Sequence, residues 1–163
     1  MNRLTLILVL AMAVLLGSSG VCWSADLQKG FDALERGDYA TALKELTPLA
    51  EQGNADVQYN LGLMYKNGLG VPQDYKTAVK WFTLAAEQGD VDAQFNLGLK
   101  YARGQGVPQD YVRAHMWFNL SASTGAEDAI KNRDIAAERM TPSQIEQAQK
   151  LARECVAKNY KGC

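Results

Sequence analysis

The chain has 163 residues, of which 47% are hydrophobic and 21% are charged, a composition that fits one soluble globular domain once any targeting segment is removed. The formal net charge of −1 supplies no basic surface, which argues against a nucleic-acid partner. With one His and three Cys, the chain has few of the imidazole and thiolate groups that metal sites use, so we predict no metal and no cofactor.

Residues 1–24 have the pattern of a secretory signal peptide. Arg3 precedes an apolar run over residues 4–17, and small residues follow it. This run is shorter than the roughly 20 apolar residues that a membrane-spanning helix needs, so we predict cleavage near Ser24 rather than stable membrane insertion. Cys22 is the alternative site of a lipid anchor, but the residues before it lack the usual leucine and small-residue pattern. We therefore expect an exported protein, in the bacterial periplasm or secreted.

Residues 53–88 and 89–124 are two copies of one 36-residue unit, with 20 identical positions and no gap. A weaker third copy with a shorter turn precedes them, and we place the three repeats at residues 26–52, 53–88 and 89–125. Each copy contains two amphipathic segments separated by a turn, which predicts two helices, here called helix A and helix B. A helical unit repeated at this period indicates a solenoid.

The turn of each full copy is rich in glycine: it reads NGLGVPQDY at residues 67–75 and RGQGVPQDY at residues 103–111. A phosphate-binding loop of the dinucleotide type needs a third glycine and a preceding strand, but Gln73 stands at the third position and a helix precedes the turn. Gly68 is instead expected to end helix A with a positive φ angle, and Asp74 to cap helix B. We therefore interpret the motif as a connection between packed helices.

Helix A also carries a glycine in its interior, Gly62 or Gly98, where glycine weakens a helix by about 1 kcal/mol relative to alanine. We expect these glycines to permit close contact with an alanine of helix B, Ala78 or Ala114. The Trp-Phe pair that recurs in helix B is expected to pack in the core, rather than to form a platform for stacking bases or sugars.

These motifs resemble those of the Sel1-like repeat (SLR) family, whose units are related to tetratricopeptide repeats. The matching features are A-x-x-x-L-G-x-x-Y in helix A of the last copy, G-x-G-V-P-x-D-Y in both full turns and A-x-x-W-F-x-x-A-A in helix B of the middle copy. The resemblance covers about residues 26–125. It implies an all-α fold, a right-handed α/α superhelical solenoid of antiparallel helix pairs.

Residues 126–163 are predicted to form a C-terminal capping helix pair that covers the last apolar face of the array. Thr141 can cap the second of these helices, and Pro142 can occupy its first turn. Cys155 and Cys163 are expected to form a disulfide in an oxidising compartment. Eight residues of continuous helix would separate their Cα atoms by about 12 Å, which is too far for a disulfide, so the helix must end before Cys163.

The family resemblance, rather than the repeat pattern itself, implies a binding function. In tetratricopeptide-like arrays the A helices line a concave surface that receives peptides. We therefore predict an exported, non-catalytic protein–protein interaction module, a scaffold or adaptor, with a protein or peptide partner. The candidate contacts on this surface are Asp56, Tyr59, Leu63, Lys66, Asp92, Phe95, Leu99 and Arg103. The alternative interpretation is that some of the apolar residues among them are buried between adjacent repeats.

The sequence offers little support for a catalytic site. His115 stands where the preceding copy has Val79, at the edge of the apolar face of helix B, and we interpret it as a packing variant. The sequence contains neither an S-x-x-K nor a G-x-S-x-G nucleophile motif, so we predict that the protein is not an enzyme. The alternative is an envelope enzyme, such as a slow hydrolase acting on cell-wall or β-lactam compounds, which only the resemblance implies. A structural subunit of a larger assembly is a third interpretation.

Overall fold

The structure is a computed structural model that describes residues 26–163. The predicted signal peptide, residues 1–24, lies outside the described residues. Over residues 26–163 the chain forms α-helices and one short 3-10 helix but no strand, which confirms the predicted all-α class. The helices are α1 (26–35 in the described part), α2 (Tyr39–Glu51), α3 (Ala55–Asn67), α4 (Tyr75–Ala86), α5 (Val91–Arg103), α6 (Tyr111–Ser121), the 3-10 helix (Ala122–Thr124), α7 (Glu127–Ala137) and α8 (Pro142–Ala157).

Within the described residues the chain divides into two compact units, residues 26–49 and 50–163. In the described part of the first unit, α1 and α2 approach closely at Gly30, where an added side chain would collide with Leu46. An ion pair between Lys29 Nζ and Glu45 Oε1, 2.6 Å apart, joins the same two helices. These helices lie within residues 26–52, where the sequence predicts the weaker copy, and that copy stays a prediction.

In the second unit, α3 packs against α4 and α5 packs against α6. The helices α3 and α5 are the predicted A helices, and α4 and α6 are the predicted B helices. Each B helix begins at an aspartate whose carboxylate accepts a backbone hydrogen bond: Thr77 N donates to Asp74 at 3.2 Å, and Arg113 N donates to Asp110 at 3.0 Å. These contacts confirm the predicted caps, because such a carboxylate satisfies an amide that has no partner within the helix.

The glycine-rich turns fold back onto the helix that they follow. Gly68 and Gly104 end α3 and α5 with φ angles of +71° and +66°. Gln73 Nε2 then donates to the Lys66 carbonyl at 2.8 Å, and Gln109 Nε2 makes the equivalent bond to Ala102 at 2.9 Å. The turn side chains therefore satisfy carbonyls at the end of each A helix, as expected of a structural connection between helices.

The glycines inside the A helices do permit close packing, but the contact differs from the prediction. A Cβ atom added at Gly62 would lie 2.5 Å from the ring of Phe82, and one added at Gly98 would lie 2.5 Å from the ring of Phe118. The prediction that an alanine of helix B makes this contact is therefore wrong. The phenylalanine ring, which is larger, fills the space that the missing side chain leaves.

The C-terminal residues form the two predicted helices, α7 and α8, which both pack against α6. Thr141 caps α8 and Pro142 begins it. The helix ends at Ala157, and the predicted disulfide joins Cys155 to Cys163 with their Cα atoms 5.5 Å apart. The handedness of the solenoid and the capping role of this segment stay predictions.

The chain after Cys155 turns back towards the junction of the two full repeats, at the end of α4. Asn159 and Tyr160 both have positive φ angles, and the Tyr160 ring lies 3.6 Å from the position that a Cβ of Gly89 would take. Gly162 N donates to Glu87 Oε1 at 2.9 Å. The disulfide thus closes a loop that contacts the end of α4. None of the helices within residues 26–163 has the length and apolar character needed to cross a membrane.

Candidate functional site

The eight predicted contact residues lie on two helices, four on α3 and four on α5, at spacings of three or four residues. Residues at this spacing share one side of a helix, and we call this surface the helix A face. Asp56, Asp92 and Arg103 are exposed on it. The other five are half-buried: Tyr59, Leu63, Lys66, Phe95 and Leu99.

The two aromatic residues of the helix A face pack inside their own repeats. The ring of Tyr59 lies 5.9 Å from that of Phe82 in α4, and the ring of Phe95 lies 5.7 Å from that of Phe118 in α6. These are ordinary separations for interacting aromatic rings. Both rings therefore contribute to the packing of helix A on helix B while part of their surface stays exposed.

A hydrogen bond links the two A helices across the face. Lys66 Nζ of α3 donates to Asn96 Oδ1 of α5 at 3.1 Å. Asn96 is buried, and its Nδ2 donates to the Asp92 carbonyl one turn earlier at 2.9 Å. Asn96 was not among the residues predicted for this face, although an asparagine recurs at this position in both full copies.

A buried lysine that was not predicted from the sequence lies next to this bond. Lys100 is only 3% exposed. Its Nζ donates to Gln105 Oε1 at 2.9 Å and lies 4.2 Å from the centroid of the Tyr75 ring, where the ring face attracts a cation. The 36-residue period contains a signal that could have revealed it, because Lys100 takes the position of Met64 in the preceding copy.

Three cations therefore meet at the C-terminal end of the A helices: Lys66, Lys100 and Arg103. Burial first, and then the charges of Lys66 and Arg103, lower the pKa of Lys100 from its ordinary value of 10.5 to about 8. Burial and the charge of Arg103 also lower the pKa of Lys66. Each effect disfavours the charged form of the lysine, which means that positive charge at this end is not fully compensated.

The opposite end of the face is acidic. Burial raises the pKa of Asp90, and the charges of Asp92 and Asp56 raise it further. Burial also raises the pKa of Tyr59, with the same direction of effect from Asp92 and Asp90. Asp90 itself caps α5, since Ala93 N donates to its carboxylate at 2.6 Å. The helix A face therefore has one negative end and one positive end.

His115 is buried in α6, and its Nδ1 has no hydrogen-bond partner among residues 26–163. Burial lowers its pKa, the charge of Arg133 lowers it further, and Asp134 opposes these effects. Within the described residues, no group of three or more His, Cys, Asp or Glu side chains is arranged to hold a metal ion. His115 is therefore a buried residue whose Nδ1 atom is not oriented by any hydrogen bond within residues 26–163, whereas a base is usually oriented by a third group.

Paired antiparallel helices, glycine turns and a 36-residue period define a helical repeat protein. Residues 55–90 and 91–125 each match the Sel1 repeat. This part of the chain thus consists of two Sel1 repeats.

Two solved structures share this fold. A protective antigen present in uropathogenic Escherichia coli strains, which displays an SLR fold, is 30% identical with a TM-score of 0.78 over 85% of this chain. A Sel1 repeat protein from Oxalobacter formigenes is 33% identical with a TM-score of 0.62 over 65% of this chain. The chain spans only 30% and 44% of the lengths of these two proteins. No curated protein sequence matches the chain.

Proposed function

We propose that this protein is an exported, non-catalytic interaction module that binds a partner protein, or an extended segment of one, on the helix A face. The observation that carries the proposal is the row of half-buried apolar side chains on α3 and α5, with exposed charges among them. Surfaces of this kind, apolar at the centre and polar at the rim, are typical of protein interfaces.

The packing of the helices supports the use of this face. The helices α3 and α5 pack against the B helices α4 and α6, so their other side is the one available to a partner. The resemblance to tetratricopeptide-like arrays, in which the A helices line the concave side, also supports this choice. Tyr59 and Phe95 already pack against the rings of the B helices, and such pre-ordered aromatic side chains lose little conformational freedom on binding.

Export is part of the proposal and has two supports. The N-terminal residues have a signal-peptide pattern, and Cys155 and Cys163 form a disulfide, a bond that persists in oxidising compartments. Sel1 repeats mediate protein–protein interaction, which makes a protein partner the natural ligand for such a surface.

Site-specific photocrosslinking in cells that produce the protein tests the proposed face. A photoreactive amino acid placed at Asp56, Asp92 or Arg103 lies on the helix A face, and one placed at Lys76 or Lys80 lies on the exposed side of α4 and serves as control. We expect discrete crosslinked species from the first set and none from the second. Equal crosslinking from both sets, or crosslinking from α4 alone, would show that the interaction surface lies elsewhere.

A further inference from the structure

The positive end of the helix A face holds a buried charge that the described chain does not neutralise. Lys66, Lys100 and Arg103 form no ion pair with any Asp or Glu of residues 26–163. Of the three ammonium hydrogens of Lys100, one is directed at Gln105, and the ring of Tyr75 lies over the group. Charged side chains are rarely buried to this degree without a partner of opposite charge.

The helix ends explain part of this arrangement. A cation near the C-terminus of a helix is favoured by the partial negative charge there, and Lys66, Lys100 and Arg103 all occupy the last turns of α3 or α5. This preference is satisfied by exposed side chains, however, and does not require burial. It also cannot explain why three cations lie close enough for the charges of Lys66 and Arg103 to lower the pKa of Lys100.

We infer that Lys66, Lys100 and Arg103 form a binding site for a carboxylate, and that its occupant is an acidic side chain within an extended segment of the partner protein. The inference rests on the proposed function of the helix A face. Arg103 is exposed and Lys66 is half-buried, so these two donate to the carboxylate, and charge-assisted hydrogen bonds of this kind are the strong ones. Lys100 adds positive charge from beneath.

The remainder of the face favours a peptide side chain over a free anion. Leu63 and Leu99 are half-buried on the same two helices and offer apolar contacts on the side of the site that leads towards the acidic end. The exposed carboxylates of Asp56 and Asp92 at that end repel an acidic group. A bound segment therefore carries its acidic residue near Arg103, and a basic residue fits the opposite end.

The length of α5 sets the spacing of these two residues in the ligand. Asp92 and Arg103 are separated by eleven steps along the helix, or about 17 Å at the rise of an α-helix. An extended peptide covers this distance in about five residues, at roughly 3.3 Å each. Because side chains alternate along an extended chain, the probe is made one residue longer. It is the blocked heptapeptide acetyl-Lys-Ser-Leu-Ser-Leu-Ser-Glu-amide, whose Lys, Leu and Glu side chains share one side, and its partner probe has Gln in place of Glu.

Binding of the two peptides to the isotopically labelled chain, followed by NMR titration at low salt, tests the site. We expect the Glu peptide to bind about ten-fold more tightly than the Gln peptide, since hydrogen bonds to charged groups have this order of effect. The ratio of the two affinities should fall towards one in each of three variants: Lys66→Ala, Lys100→Met and Arg103→Asn. Each of these changes introduces the residue that the other full copy has at the equivalent position.

The control is Lys80→Met, which removes the same charge from the exposed side of α4 and also introduces the residue of the other copy, Met116. It leaves the Glu-to-Gln ratio unchanged. Equal affinity of the two peptides, or an equal loss of preference in Lys80→Met and Arg103→Asn, would overturn the site. A Gln peptide with a free C-terminal carboxylate that binds as well as the Glu peptide would overturn the choice of a side chain.

The two experiments can fail separately. Crosslinking from Asp56 and Asp92 without any preference for the Glu peptide would leave the interaction face in place and reject the carboxylate site. A strong preference for the Glu peptide that depends on Arg103, with no crosslinking in cells, would support the site and reject the proposed use of the face by a partner protein.

Discussion

The two full repeats, residues 53–88 and 89–124, are called the first and the second repeat from here on. They share a packing framework but differ in charge at the C-terminal end of helix A. In the first repeat Gln58 Nε2 donates to the Ala50 carbonyl at 2.8 Å, and in the second Gln94 Nε2 points to the Ala86 carbonyl at 3.4 Å. Each glutamine thus satisfies a carbonyl at the end of the preceding B helix. This contact between a glutamine and the end of the preceding helix therefore recurs in both full copies.

The differences fall at positions that the framework does not fix. Met64 is 1% exposed in the first repeat, and its counterpart Lys100 is 3% exposed in the second. Val79 likewise corresponds to His115, and both are buried. A buried methionine or valine fits an apolar core without further contacts, whereas a buried ammonium or imidazole needs polar partners. The second repeat therefore holds a lysine and a histidine at two buried positions where the first repeat has apolar side chains.

The largest expected effect concerns the shared framework. In Gly98→Ala the new Cβ would lie 2.5 Å from two atoms of the Phe118 ring, so the ring or the helix must move. We expect a loss of about 3 kcal/mol in the free energy of unfolding, at the upper end of the usual cost of overpacking. Gly62→Ala, facing Phe82, should cost a similar amount, and urea unfolding of both variants measures it.

The control for this prediction replaces the ring that the new methyl group would contact with a smaller side chain. Phe118→Leu costs stability alone but should cost less in the Gly98→Ala background, because the two residues are in contact and their effects do not add. If Gly98→Ala were neutral, or if the two changes were additive, the close contact would not be what selects glycine in helix A.

The sequence permits prediction of the framework because the framework repeats. The 36-residue period, the turn glycines with Asp74 and Asp110, and the positions of Cys155 and Cys163 each have a local physical reason that can be read without coordinates. The structure agrees with these predictions. The contact partner of Gly62 was predicted wrongly because helix periodicity identifies the face of a helix but does not say which side chain of the opposite helix lies against it.

The charges of the candidate site were harder to predict. Arg103 and Lys66 were identified from their place on the helix A face, but Lys100 lies on the adjacent, buried side, where the pattern of the other copy predicts an apolar residue. A lysine at such a position is normally expected to extend its amine to solvent. Only the structure shows that the amine stays inside, over Tyr75 and next to Gln105.

An intermediate effect is expected from Lys100→Met, which gives the second repeat the residue of the first. The pKa of Lys100 lies near 8 in the folded protein and below its ordinary 10.5, so between these pH values the folded state binds fewer protons than the unfolded chain. Stability of the natural protein then rises with pH in this range. We expect the variant to be more stable by about 2 kcal/mol at pH 7.

The advantage of Lys100→Met should shrink as the pH rises through 8 towards 10.5, because the natural lysine is then neutral in the folded state. Urea unfolding at pH 7 and near pH 10.5 measures the difference in stability between the variant and the natural protein. Lys80→Met is the control and should show no such trend. A variant less stable than the natural protein at pH 7 would mean that the contacts with Tyr75 and Gln105 outweigh the burial of the charge. A gain in stability together with lost carboxylate binding is the trade expected of a functional residue.

The smallest effect is expected at His115, the second buried position at which the two full repeats differ. His115→Val introduces the residue of the first repeat and removes an Nδ1 atom that has no hydrogen-bond partner among residues 26–163. The free energy of unfolding at pH 7 should change by no more than about 1 kcal/mol, since an unsatisfied group is lost together with some packing.

Because burial holds the pKa of His115 below 6.5 in the folded state, the unfolded chain binds more protons as the pH falls below that value. The natural protein therefore loses stability on acidification that the variant keeps. Unfolding curves of both proteins at pH 7 and pH 5 provide the comparison, and parallel losses in the two would show that protonation of His115 is not disfavoured by its surroundings.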